Sequence, residues 1–194
     1  MSALIYLHGY LSSPKSHKAL LLADYLQRHR TDLRLLVPSL PEEPEQALAA
    51  ATATVEQALV DAAGAPVGLV GSSLGGFYAT VLSERFGLRT VLINPSVLPH
   101  IRFGHYAGQP QVNPHTGREF AITASDVAAL EYEVPEKIHA HRYWLLAQKG
   151  DELLDYREAV DYYAGAQQTL EEGGDHQFQG FERHLPRVVE FLQK

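Results

Sequence analysis

Gly71-Ser72-Ser73-Leu74-Gly75 is a run whose residue types can do covalent chemistry. A serine hydroxyl becomes a useful nucleophile when a base takes its proton, and it must stand clear of the chain to reach a carbonyl carbon. A G-x-S-x-G run between a strand and a helix provides that exposure. The serine sits on a sharp, strained turn, and glycines two before and two after let strand and helix pass closely. The turn also aims the first helical N–H groups, starting with Leu74, at the place where an oxyanion would form, and the helix dipole adds partial positive charge there. A base and an acid must then follow. Lys149-Gly150-Asp151-Glu152 and Gly173-Gly174-Asp175-His176 offer them in the order Ser73, Asp151, His176, the order such triads take in parallel-sheet folds. His176 would accept the Ser73 proton, and Asp151 would hold the imidazole in one tautomer. Glu152 and Asp155 compete with Asp151, and His184 competes with His176. Asp155 precedes a helix that it can cap, and His184 leads into an amphipathic tail through Val188, Val189 and Leu192, so Asp151 and His176 are preferred.

These residues need a frame. An apolar run from Val67 to Val70 precedes the turn, and Phe77, Val81 and Leu82 recur at helical spacing after it. Leu4-Ile5-Tyr6-Leu7 reads as a buried strand that delivers His8-Gly9-Tyr10, where the second oxyanion donor, the Tyr10 N–H, would lie. Ser13 as N-cap with Pro14 at the first helical position would open a helix with Ala19, Leu22, Ala23 and Leu26 on one face. Further strands are expected over 33–37, 90–95 and 143–148, with a more polar one over 167–170 at a sheet edge. A helix over 44–63 should end at Gly64, and another should follow Asp155. Strands alternating with helices predict an α/β fold with a mainly parallel sheet of about six strands, flanked by helices and joined by right-handed crossovers.

One segment, about 96–141, breaks the alternation with Pro99, Gly104, Gly108, Pro110, Pro114 and Gly117. It reads as a lid-like insertion in a single domain spanning 1–194, with a short helix from Ser125 or Asp126 to Tyr132. Phe103 and Tyr106 within it, together with His8 and Tyr78, are the candidate substrate contacts. His100, His105 and His115 lack H-x-x-x-H or H-E-x-x-H spacing, so no metal site is expected.

Composition narrows the function classes. The chain has 194 residues, 45% of them hydrophobic, enough for one substantial core. It has no cysteine, which excludes disulfides, thiolate metal sites and a cysteine nucleophile. A formal charge of −7 with no Lys/Arg stripe argues against a nucleic-acid partner. No apolar run is long enough for a membrane span, and Met1 passes into a strand without a basic segment or cleavage site, so a cytoplasmic protein is expected.

Taken together, Leu7-His8-Gly9-Tyr10 with Ser12-Ser13-Pro14, Val70 to Gly76 followed by Tyr78-Ala79-Thr80, Asn94-Pro95, Gly150-Asp151-Glu152 with Leu154-Asp155-Tyr156-Arg157, and Glu172 to His176 through Gly180-Phe181-Glu182 resemble the YqiA-type esterases of the α/β-hydrolase superfamily. The resemblance spans essentially the whole chain. It implies a small α/β-hydrolase fold lacking the two leading strands of larger relatives, with serine esterase activity. The expected substrate is a small-molecule acyl ester or thioester, with no cofactor. The alternatives are an acyltransferase or amidase on the same site, or a non-catalytic ligand-binding protein on a hydrolase scaffold.

Overall fold

The computed structural model describes residues 1–194. From the N-terminus, β1 (Ala3–Leu7) leads through α1 (His17–His29) to β2 (Arg34–Leu36), and α2 (Pro44–Ala62) leads to β3 (Val67–Ser72). The helix α3 (Leu74–Phe86) and the strand β4 (Arg89–Ile93) follow. The insertion holds α4 (Pro99–Gly104), the hairpin β5 (Pro110–Val112) and β6 (Glu119–Ala121), and α5 (Ala124–Tyr132). The chain then returns to the sheet with β7 (Tyr143–Gln148), α6 (Tyr156–Tyr162), β8 (Gln167–Glu171) and a terminal α7 (Leu185–Leu192).

Six of these strands form one sheet in the order β2-β1-β3-β4-β7-β8, and every pairing in it is parallel. Period-two side chains divide the core into two layers. Ala3, Ile5 and Leu7 of β1 and Tyr143, Leu145 and Ala147 of β7 pack with α2 and α3. Leu4, Tyr6, Trp144 and Leu146 point the other way and pack with α1 and α7. Central strands are buried on both faces, which is why they read as continuous apolar runs. Each buried Leu or Ile contributes about 1.5–3 kcal/mol of transfer free energy, and the central strands β1, β3, β4 and β7 are buried along nearly their whole length. β8 lies at an edge and is only partly buried, in keeping with its polar sequence.

Three helix boundaries differ from expectation. The first helix starts at His17, because 13–16 close a turn in which the Ser16 N–H reaches the Ser13 carbonyl at 3.0 Å and the Ser13 hydroxyl takes the Lys15 N–H. The second helix turns left-handed one residue early, at Ala63, with Gly64 continuing at φ 89°. The insertion helix begins at Ala124, set by a reciprocal cap between Thr123 and Asp126. No helix is long and apolar enough to cross a membrane.

Candidate active site

Strand order reverses between β1 and β3, because β1 connects outward to β2 whereas β3 connects toward β4. The crevice at the carboxyl ends of such strands is where open α/β sheets bind ligands. The loop after β1 carries His8, Gly9 and Tyr10, and the residue after β3 is Ser73.

Ser73 has φ 55° and ψ −126°, a conformation that costs a non-glycine residue about 1–3 kcal/mol and persists only where its surroundings over-determine it. Here they do. Its N–H reaches the Ile93 carbonyl at 3.1 Å, and its carbonyl accepts from Gly76 at 2.9 Å and Ser96 at 3.1 Å. The flanking glycines are steric requirements. A Cβ at Gly71 would meet the Gly75 carbonyl, and one at Gly75 would meet the carbonyl oxygens of Leu7 and His8.

The Ser73 Oγ lies 3.0 Å from Nε2 of His176, and Nδ1 of His176 lies 2.8 Å from Oδ2 and 3.0 Å from Oδ1 of Asp151. With Nδ1–H donating to the carboxylate, the Nε2 lone pair is left to accept the Ser73 hydroxyl proton. Asp151 is nearly enclosed, its side chain 2% exposed. Burial alone would raise its pKa. The bonds from His176 and from the N–H groups of Leu154 and Leu153 outweigh burial and hold the carboxyl below its usual range.

The loops that carry Asp151 and His176 are stitched together: the Lys149 N–H reaches the Glu171 carbonyl at 2.9 Å, and the Gly150 N–H reaches the Gly173 carbonyl at 2.7 Å. A Cβ at Gly150 would sit 2.5 Å from the Gly174 carbonyl. Gly173 and Gly174 both take positive φ, which turns the chain back toward Ser73. Of the competing residues, Glu152 accepts the His176 backbone N–H at 3.0 Å, Asp155 caps α6 through the Arg157 N–H, and His184 pairs with Glu171.

Two polar residues that the sequence did not single out as site residues hold the His176 loop in place. Asn94, at φ 41°, donates from Nδ2 to the carbonyls of Asp175 at 2.9 Å and His176 at 3.3 Å, and its Oδ1 accepts the Gln148 N–H at 2.9 Å. The Gln148 Oε1 accepts from Asp175 and Gln179, and its Nε2 donates to Glu171 and the Gln179 carbonyl. Both are buried. Their signal in the sequence was a polar residue ending an apolar strand, which is also how an ordinary turn begins. Buried Lys18 adds a third tie, donating to the Gln177 carbonyl at 2.8 Å; burial pulls its pKa down to about 8.

The Tyr10 N–H has no protein acceptor, and Leu74, as the first residue of α3, has none within its helix. A Cβ at Gly9 would approach the Ser73 Cβ to 3.1 Å, so the first loop passes directly over the serine. The Tyr10 ring packs edge-on against Phe103 at 4.8 Å, and its hydroxyl donates to Gln111 Oε1 at 3.1 Å, which ties this loop to the insertion.

A cavity of about 450 Å³ opens over the serine, lined by Ser73, His176, Tyr10, Leu74, Phe103 and Tyr106 among others. His8 and Tyr78 do not reach it; they line a neighbouring narrow recess. His8 is 2% exposed, and its ring bonds to loop backbone. Its Nδ1 donates to the Gly9 carbonyl at 3.0 Å, its Nε2 accepts the Leu40 N–H at 3.3 Å, and burial lowers its pKa so that the ring stays neutral. Tyr78 is buried in the α3 layer of the core. No group of three or more His, Asp or Glu side chains is placed to hold a metal ion.

A family model described as "Uncharacterised protein family (UPF0227)", the YqiA family, matches residues 3–193. The chain belongs to this family. The UPF0227 protein YE1706 of Yersinia enterocolitica is 26% identical over 190 residues, covering 97% of each chain. Among solved structures, a candidate hydrolase of Agrobacterium vitis S4 matches with a TM-score of 0.73 at 16% identity, over 98% of this chain and 88% of its own. Alpha/beta hydrolase domain-containing protein 10 from mouse matches with a TM-score of 0.68 at 16% identity, over 97% and 88%. At these identities the structural likeness establishes the α/β-hydrolase fold. Within this UPF0227 member, the sheet and its carboxyl-end crevice are the fold's, and the chemistry has to be argued from the side chains.

Proposed function

We propose that this UPF0227 protein is a serine hydrolase that cleaves acyl esters or thioesters through an acyl-enzyme. The observation that carries the reading is the hydrogen-bonded row Asp151, His176, Ser73, with the serine in a strained turn facing the cavity. Ser73 Oγ attacks the acyl carbon as its proton passes to His176 Nε2, and the carbonyl oxygen becomes an oxyanion held by the Tyr10 and Leu74 N–H groups. Collapse of the tetrahedral species breaks the bond to the alcohol or thiol, which leaves with the proton from His176. A water molecule then gives a proton to His176 and attacks the acyl group on Ser73. Collapse releases the acid, and the proton returns to the Ser73 oxygen. Asp151 stays ionised and stabilises the imidazolium formed in each half-reaction. The apolar walls at Phe103, Leu74 and Leu154 favour an acyl group with hydrocarbon character.

Steady-state hydrolysis of para-nitrophenyl esters and acyl thioesters tests the reading. Ser73→Ala and His176→Ala should each lower kcat by about 10⁴-fold or more. Full turnover by either variant would overturn it.

A further inference from the structure

We propose that Arg102 is the specificity-determining residue of this cavity, receiving an anionic oxygen group, carboxylate or phosphate, on the ester substrate. The proposal rests on the hydrolase reading above and names the class of ester that the site selects.

The protein sets all but one of its eleven arginines against a carboxylate or an aromatic ring. Eight of the eleven are ion-paired to a carboxylate. Arg89 and Arg187 lie over the rings of Phe191 and Trp144. Arg102 has neither kind of partner. Its one hydrogen bond to protein runs from Nη1 to the Leu153 carbonyl, and a guanidinium carries five N–H donors in a planar fork. Arg102 is thus the one arginine with neither a carboxylate nor an aromatic ring against it.

Arg102 is also in the right place. It lies on α4, half-buried, and lines the cavity that contains Ser73 and His176. No Asp or Glu lines that cavity, and seven of its thirteen lining residues are hydrophobic, Phe103, Tyr106 and Leu154 among them. Two acids share an adjoining recess with Arg102, but Asp155 is held by Arg157 at 2.7 Å and Glu158 makes no ion pair with Arg102. A cation drawn partly out of water beside apolar walls loses hydration, which an anion in the cavity would restore. The planar fork matches carboxylate and phosphate oxygens two at a time, which a lysine would not reproduce. An ester with a methyl group in place of the anion would leave the fork unmatched, so the site discriminates between the two.

A purely structural role for Arg102 makes a different forecast. The Leu153 carbonyl that it binds belongs to the loop whose N–H groups hold Asp151. Loss of that tie alone would slow every substrate by the same factor.

The test compares matched esters: para-nitrophenyl hexanoate, the para-nitrophenyl monoester of adipic acid, and the hexanoyl ester of hydroxyphenyl phosphate. The first is neutral, the second places a carboxylate at the end of the acyl chain, and the third places a phosphate on the alcohol. For the wild-type protein, kcat/KM should favour at least one anionic ester over the neutral one, and the favoured arm identifies which end of the substrate Arg102 meets. In Arg102→Gln that preference ratio should fall about 10-fold or more, with Arg102→Lys in between. A ratio unchanged by Arg102→Gln, or no anionic preference in the wild type, overturns the proposal. Hydrolysis of the neutral hexanoate separately tests the hydrolase reading. If no ester is turned over, calorimetric titration with adipate and phenyl phosphate still decides: binding to the wild type that is lost in Arg102→Gln supports the proposal, and absence of wild-type binding to both refutes it.

Discussion

The strand-end loops that carry Ser73, Asp151 and His176 and the insertion over 96–141 face the same cavity, yet they are held by different forces. The loops are fixed by backbone packed against backbone. Gly75 lies against the Leu7 and His8 carbonyls, Gly150 lies against Gly174, and the amides of Asn94 and Gln148 satisfy the carbonyls and N–H groups around the base. The insertion anchors Phe103, Ile122 and Leu130 in the core, but its hairpin is held by side-chain polar ties: exposed ones from Arg118 to Glu42 and Glu43, and part-buried ones from Asn113 to Glu42 and from Tyr10 to Gln111. The proposed chemistry thus sits on the part of the fold that cannot shift without steric cost, and the cavity's outer wall sits on a part that can.

If that contrast is right, the largest effect comes from adding a single methyl group to the rigid side. Gly75→Ala puts a Cβ onto two backbone carbonyls that have no room to retreat. It should destabilise the protein by about 3 kcal/mol or more, at the upper end of overpacking costs, as measured by urea unfolding. A near-neutral result would mean that the crossing of α3 over the first loop is looser than described.

Next comes Asn94→Ala, which strands the Asp175 and His176 carbonyls and the Gln148 N–H. Each buried polar group left unpaired costs about 1–3 kcal/mol, and a displaced base should lower kcat by about 10-fold or more while KM changes little. Asn94→Gly tolerates the positive φ at this position and still lacks the amide, so it separates backbone strain from lost bonding. Recovery of kcat in the glycine variant would mean that the amide does not position His176.

The acid dependence of stability follows in size. Asp151 has a folded-state pKa below the unfolded value of about 3.9. Its contribution is therefore fully present above that value and is lost as pH falls through the folded-state pKa. Unfolding free energy measured between pH 7 and pH 3 should fall more for the wild type than for Asp151→Asn. Parallel curves would contradict the depressed pKa.

The smallest effect belongs to the flexible side. Arg118→Ala removes exposed ion pairs and should leave the global melting temperature nearly unchanged while speeding amide hydrogen exchange across 110–121. A large drop in melting temperature would place the hairpin on the rigid side of the comparison.

The same division governs what could be read from the sequence. The rigid part was legible because its constraints act over short stretches: an apolar strand meeting Gly71-x-Ser73-x-Gly75, and acid and histidine loops following later strands in a fixed order. The hairpin was not, because its strands are three residues each, too short for a period-two pattern to stand out, and one opens with Pro110. The start of the first helix was misplaced because Ser13-Pro14 suits a turn as well as it suits a helix start. His8 and Tyr78 are the right residue types next to the right motifs, but both are buried and line the neighbouring recess in place of the cavity. Asn94, Gln148 and Arg102 act through partners far away in sequence, a relation that local spacing does not encode.

The central claim is that Ser73 is a nucleophile activated by His176. Incubation with a fluorophosphonate, followed by intact-mass measurement and peptide mapping, tests it most directly. The account predicts one adduct, on Ser73, absent from Ser73→Ala and formed far more slowly in His176→Ala. Folded wild-type protein that takes no adduct, or takes one elsewhere, would contradict it.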